Sequence, residues 1–319
     1  MNILTIDFET YYSQAYSLSK LTTEEYVRSD DFEVIGVSVQ VDCSEPLWFS
    51  GTHDETKQWL KQFDWDNSFG LAHNAMFDSA ILSWIFNIRP KAWLDTLCMA
   101  RATDGIEAGN SLAKLAERYG LGEKGTEVLN ALDKRRADFT TQELAKYGEY
   151  CKNDVELTKK LFNCLLSTGF DPKEMKLIDL TLRMFTEPKL ALNTITLLDH
   201  LRETQERKEK LLEKVSAEKS TLMSNPQFAQ YLTLLGVTPP TKISPTTGKE
   251  TWAFSKNDEE FKALLEHPNE EVQALAAARI GVKSTLEETR TQRFIDISSR
   301  GLMPDRKSTR LNSSHVKRS

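Results

Sequence analysis

Apolar and polar positions along the chain predict short strands early and helices late. Ile3–Thr10 (ILTIDFET) is an apolar, β-branched run ending in acids, and it reads as a buried strand. A polar stretch rich in Ser and Tyr, Tyr11–Asp31, separates it from a second β-branched run, Val34–Val41. Leu47–Ser50 and Phe69–His73 are shorter strand candidates, with a helix over His53–Phe63 between them. Asn74–Phe86 has helical spacing and places Asn74 as its N-cap. Leu112–Tyr119 is another helix, stopped by Gly120. Thr140–Leu166 is the longest helix of this half, and Thr140 with Glu143 fits a capping box.

Thr168–Pro172 breaks the pattern and marks the expected domain boundary. Beyond it the spacing is helical: Lys173–Thr186, a long charged helix over Thr196–Met223, Asn225–Leu235, Asp258–Glu266 and Asn269–Ile280. Pro239–Thr251 reads as a polar, Pro-rich loop. The expected organisation is an α/β domain over 1–168, with acids gathered at one sheet edge, and a mostly helical domain over 172–304. Residues 305–319 are polar, basic and aperiodic, hence expected to be disordered.

Composition adds limits. The 319 residues are 39% hydrophobic and 28% charged, an ordinary balance for a globular chain long enough for two domains. No run approaches a membrane span and the start carries no basic-then-apolar leader, so a cytoplasmic location is expected. Cys43, Cys98, Cys151 and Cys164 form no C-x-x-C and read as free thiols. Residues 1–165 hold 26 acids against 17 bases, a poor match for a polyanion unless several acids hold divalent metal.

Three short patterns supply candidate chemistry. In a strand Asp7 and Glu9 project to one face, where two carboxylates repel unless cations lie between them. Asn74 and Asp78 share a helical face, as do Tyr150 and Asp154 one turn apart. The bland roles are a cap for Asn74, a cap for Asp95, a strand-end hydrogen bond for His73, and core packing for Phe8, Met76 and Phe77.

Taken in order, IDFET, AHNAMFD and YCKNDVELT resemble the exonuclease domain of DNA polymerase I-type (family A) enzymes, in the DEDD superfamily of 3′–5′ exonucleases. Glu149 stands where the histidine subtype carries its base, so Tyr150 gives the resemblance its tyrosine subtype. The resemblance implies a ribonuclease H-like fold and two divalent cations, Mg²⁺ or Mn²⁺, held by Asp7, Glu9, Asp78 and Asp154. It also implies that Asp7 bridges both ions and that Tyr150 orients the attacking water. Leu177–Arg202 and Asn225–Val237 resemble the polymerase thumb and Ala278–Thr285 its join with the palm, implying DNA as partner: a single-stranded 3′ end at the acids and duplex at the thumb. Lys242, Lys249, Lys256 and Lys283 are then candidates for phosphate contacts. The expected whole is the proofreading part of a bacterial or viral DNA polymerase, without the acids of the polymerase site, which the family carries after the thumb. Asp305–His315 resembles a translated sequencing adapter and carries no functional argument. A ribonuclease D-like RNA exonuclease shares the same motifs, and a non-catalytic nucleic-acid-binding module would keep the fold.

Overall fold

The computed structural model describes residues 2–125, 131–215 and 217–305. The chain forms two units, one of residues up to Leu190 with Pro304 and Asp305, the other Ala191–Met303. This division falls after the expected break at Thr168–Pro172. Helix α7 (Pro172–Thr186) belongs to the first unit, because Leu182 and Phe185 enter its core and Asp179 accepts the Trp93 N–H at 2.8 Å. The tail expected to be disordered lies outside the described residues except for Asp305, whose N–H donates to Met184 O.

The first unit is α/β, a mixed sheet with helices on both faces, consistent with a ribonuclease H-like exonuclease domain. Its strands are β1 (Ile3–Thr10), β2 (Val34–Val41), β3 (Leu47–Phe49), β4 (Phe69–Ala72) and β5 (Ala92–Asp95), ordered β3-β2-β1-β4-β5. β1 is the middle strand, antiparallel to β2 and parallel to β4. Its even positions, Leu4, Ile6 and Phe8, join the core formed with α3 (Ala75–Ala80) and α7. Its odd positions face α6 (Thr141–Ser167), where the partly buried Ile3, with Leu71 of β4 and Leu94 of β5, packs against Leu157, Leu161 and Leu165. Period-two alternation in β1 thus assigns the apolar residues to one layer and Asp7 and Glu9 to the other.

Local signals account for most of the elements. Thr140 and Glu143 form the expected capping box at the start of α6. Asn74 stands before α3 but does not cap it; it is left-handed at φ 68° and its N–H donates to Asp95 Oδ1. The helix expected over Asn74–Phe86 is helical only to Ala80 in the α sense, and Ile81–Ile85 continues as a π turn. Two elements of the first unit went unread: α1 (Thr23–Val27), inside the polar stretch and fixed by a Thr22–Glu25 capping box, and the strand β5. The helices α2 (His53–Leu60), α4 (Thr96–Asp104) and α5 (Leu112–Tyr119) complete this unit.

The second unit is mostly helical: α8 (Thr194–Glu213), α9 (Lys219–Met223), α10 (Asn225–Leu234), α11 (Glu259–Ala263), α12 (Glu270–Lys283) and α13 (Leu286–Arg300). The single helix expected over Thr196–Met223 is two, and Val215 and Ala217 of the intervening turn pack against the unit's core. The expected Pro-rich loop holds an exposed hairpin, β6 (Thr241–Ile243) with β7 (Glu250–Trp252). The charged segment after Ser284 is helical as α13.

Two glycines let a tryptophan lie between sheet and helix. A Cβ on Gly36 of β2 would sit 2.2 Å from the Trp48 ring, and one on Gly148 of α6 would sit 2.6 Å from it. Glycine in a helix interior is ordinarily worse than alanine by about 1 kcal/mol. Here the close approach outweighs propensity, since overpacking costs about 1–3 kcal/mol. Gly148→Ala should therefore lower the melting temperature of the first unit, and Trp48→Ala in the same chain should recover most of the loss. A stabilised Gly148→Ala single variant, read by thermal melting, would show that Trp48 does not constrain the helix.

Candidate active site

Helix α6 carries Tyr147, Tyr150, Cys151 and Asp154 at steps of three and four residues, so they form one stripe. All four are buried, and the stripe meets the acidic face of β1. The Tyr147 hydroxyl donates to Glu9 Oε2 at 2.7 Å. Cys151 Sγ lies 3.3 Å from both the carbonyl oxygen and Oδ2 of Asp7. Potential ligand atoms of Asp7, Glu9 and Cys151 all fall within 4.8 Å of one another.

Asp78 arrives from the first turn of α3. Its Oδ1 accepts the Phe8 N–H at 3.1 Å, which ties it to β1 between Asp7 and Glu9. Asp154 is held from the loop after α5, where Lys124 Nζ reaches its Oδ2 at 2.5 Å. The same ammonium lies 5.2 Å from the centre of the Tyr150 ring. The other oxygen, Asp154 Oδ1, is buried and has no hydrogen-bond partner among the described residues.

Gathering four carboxylates under a helix has a clear electrostatic signature. Burial, then repulsion from Asp154, pushes Asp7 up to about 7, opposed by Lys124 and Cys151. Burial and the neighbouring charge of Asp7 push Glu9 up to about 8, against the Tyr147 hydrogen bond. The same two causes hold Asp78 well above the usual carboxylate range. Burial raises Asp154 as well, and Lys124 offsets part of it. Burial and the charge of Asp154 carry the Tyr150 hydroxyl far above its ordinary value, so it keeps its proton at any physiological pH. These groups fit divalent cations. Acids that repel one another in a low-dielectric site, one with an unpaired oxygen, are the donor set that hard oxygen-seeking ions take.

The five residues expected from the sequence, Asp7, Glu9, Asp78, Tyr150 and Asp154, are thus brought to one place. Three neighbours went unread: Tyr147, Cys151 and Lys124. The first two were legible in principle, because they continue the helical stripe of Tyr150 and Asp154. Lys124 had no local signal; only the fold carries its loop to α6. Asp95 caps α4 through Leu97 N–H at 2.8 Å, as its bland role required. His73 sits at a strand end between Thr96 Oγ1 and Asn110 O, with no metal-type cluster around it among the described residues. Phe8 is core, and Met76 and Phe77 pack against that core.

Residues 22–168 match the sequence profile of a family described as 3′–5′ exonuclease, of the DNA polymerase A exonuclease type. The match takes in Asp78, Tyr150 and Asp154, while Asp7 and Glu9 precede it and join them through the sheet. No curated protein matches the chain. Among solved structures, Brucella melitensis NrnC is similar at 15% identity and a TM-score of 0.41, over 56% of this chain and 81% of that one. Trypanosoma brucei RNase D is similar at 15% identity and a TM-score of 0.41, over 51% and 57%. The catalytic core of Trypanosoma brucei RRP6, a C496S mutant, is similar at 9% identity and a TM-score of 0.42, over 95% and 75%. The N-terminal unit is thus similar over residues 22–168 to a 3′–5′ exonuclease domain, and it is this unit that gathers the four acids and the tyrosine.

Proposed function

We propose that this unit removes the 3′-terminal nucleotide of a DNA strand, releasing a nucleoside 5′-monophosphate, as the proofreading part of a family A DNA polymerase. One observation carries the hydrolytic reading: the buried carboxylates of Glu9, Asp78 and Asp154 gather with the half-buried Asp7 against a helix that presents the buried Tyr150. The DNA assignment rests on the resemblance of Leu177–Arg202 and Asn225–Val237 to a polymerase thumb and of Ala278–Thr285 to its join with the palm.

Asp7, Glu9, Asp78 and Asp154 would hold two divalent cations, Mg²⁺ or Mn²⁺. Such ions would make water acidic enough to attack phosphorus and would neutralise charge gathering on the phosphoryl oxygens. The chain's own part is positioning. Tyr147 fixes Glu9, Cys151 fixes Asp7, and the Phe8 main chain fixes Asp78, so the carboxylates meet their ligand with little reorganisation. Tyr150 cannot serve as a base, because burial and Asp154 hold its proton. It donates a hydrogen bond that aims the nucleophile.

Asp7→Ala should reduce turnover of a single-stranded DNA oligonucleotide by several orders of magnitude, and EDTA should abolish turnover by the unaltered protein. Full activity of either would end the hydrolytic reading. Matched DNA and RNA oligonucleotides decide the substrate: faster cleavage of RNA would replace the DNA assignment with a ribonuclease D-like one.

Tyr150→Phe removes the hydroxyl and leaves the four acids. Turnover should fall about ten- to a thousand-fold, the range of a lost positioning contact. Calorimetric Mn²⁺ binding should be nearly unchanged. Loss of Mn²⁺ binding in that variant would make Tyr150 a ligand rather than an orienting donor.

A further inference from the structure

The second unit contains a cationic pocket of about 700 Å³ that none of the exonuclease chemistry uses. It is lined by α8, α12 and the loop that follows β7. Arg279 of α12 is fully buried and has no carboxylate partner among the described residues. Its Nη atoms donate instead to neutral oxygens, those of Leu222 and Ser224 in the main chain and Asn225 Oδ1. Its Nε is buried with no hydrogen-bond acceptor among the described residues. One helical turn on, Lys283 Nζ donates to the same Asn225 Oδ1 at 2.7 Å. Two cations sharing one uncharged oxygen lack a counter-ion, and a buried charge without one is costly.

The rest of the wall does not supply that counter-ion. Among the described residues Glu287 is the only acid lining the pocket, and it already pairs with Arg207 at 3.2 Å. Lys242 is taken by Asp258 and Lys208 by Glu288. Lys256 is exposed and makes no ion pair among the described residues. Beside these cations stands Trp252. Its indole stacks on Phe254 at 5.6 Å with a 2° interplanar angle, yet it remains 36% exposed and lines the pocket. A rigid aromatic shelf next to an unmatched positive charge fits a base joined to a phosphate.

We propose that this pocket takes an unpaired nucleic-acid strand, with one phosphate on Lys256 and Lys283 in the field of Arg279 and the adjoining base on Trp252. An unpaired strand fits better than duplex because paired bases keep their faces stacked on one another and cannot offer one to an indole. The assignment stands apart from the hydrolytic reading, since every residue in it belongs to the second unit, and it puts a single strand where the thumb resemblance implied duplex at Lys256 and Lys283.

The test is fluorescence anisotropy of a labelled ten-nucleotide thymidine strand with the full chain in EDTA, where the acid cluster has no cations and repels phosphate. Arg279 is left in place because its loss would disturb the core. Lys256→Gln with Lys283→Gln should weaken binding at least tenfold and reduce the slope of log affinity against log salt by about 0.7, the value for one single-strand phosphate. Trp252→Ala should weaken the strand by about five-fold or more, as expected for one stacked base, and leave a ten-base-pair duplex unaffected. Circular dichroism and melting of each variant check the fold. Unchanged strand affinity in folded variants would overturn the proposal. So would equal losses for duplex and strand on Trp252→Ala. Displacement by thymidine monophosphate or inorganic phosphate as effective as by the strand itself would make the occupant a free phosphate compound and overturn the strand assignment.

Discussion

The first unit is built around the repulsion between acids that its own sheet forces together. β1 is the middle strand, paired with β4 over Ile3–Thr5 and with β2 through Asp7 and Glu9, so these acids cannot turn out to solvent without breaking the β1–β2 ladder. α6 then closes over that face and adds Asp154, while α3 brings Asp78 to the Phe8 main chain. Burial and mutual charge raise the acids toward neutrality, and the hydrogen bonds from Tyr147 and Cys151 and the ion pair from Lys124 offset only part of it. A site in this condition favours whatever brings positive charge, either protons or divalent ions.

The surrounding architecture follows from holding that arrangement. The even face of β1 packs apolar residues against α3 and α7, which fixes the strand's rotation and hence the direction of its acids. Trp48, admitted by Gly36 and Gly148, lies 6.4 Å from the Tyr147 ring, so the sheet edge helps to place the residue that holds Glu9. Phe139 stacks on Tyr147 at 5.6 Å from the other direction. Positioning of this kind is what turns a cluster of acids into a site with defined geometry.

How much was legible follows from how local each signal is. β1, β2 and α6 could be read because alternation, β-branching and a capping box are properties of adjacent residues. The same is true of Asp7 with Glu9 and of Tyr150 with Asp154, whose spacing puts them on one face. β5 was missed because a four-residue strand has too little pattern to stand out, and β6 with β7 because both are exposed and polar. The division between the two units falls later than the local break at Gly169 and Pro172, because α7 is retained by long-range bonds to Trp93, Pro90 and Lys91. Lys124 and the unmatched Arg279 are likewise set by tertiary contacts. No window of sequence shows that a cation has lost its partner.

The measurement that tests the central claim is the melting temperature of the first unit between pH 5 and pH 8, with and without Mn²⁺. Tryptophan fluorescence follows it, since five of the six tryptophans lie there. Asp7 and Glu9 titrate near 4 when unfolded but at about 7 and about 8 when folded. The folded protein therefore holds protons that the unfolded chain has already lost, and metal-free stability should fall as pH rises through this window. Mn²⁺ competes with those protons, so the stabilisation it gives should be larger at pH 8 than at pH 5. Asp7→Asn should flatten the metal-free slope and remove most of the Mn²⁺ effect. A metal-free slope that Asp7→Asn leaves unchanged, with an Mn²⁺ shift equal at both pH values, would contradict the account.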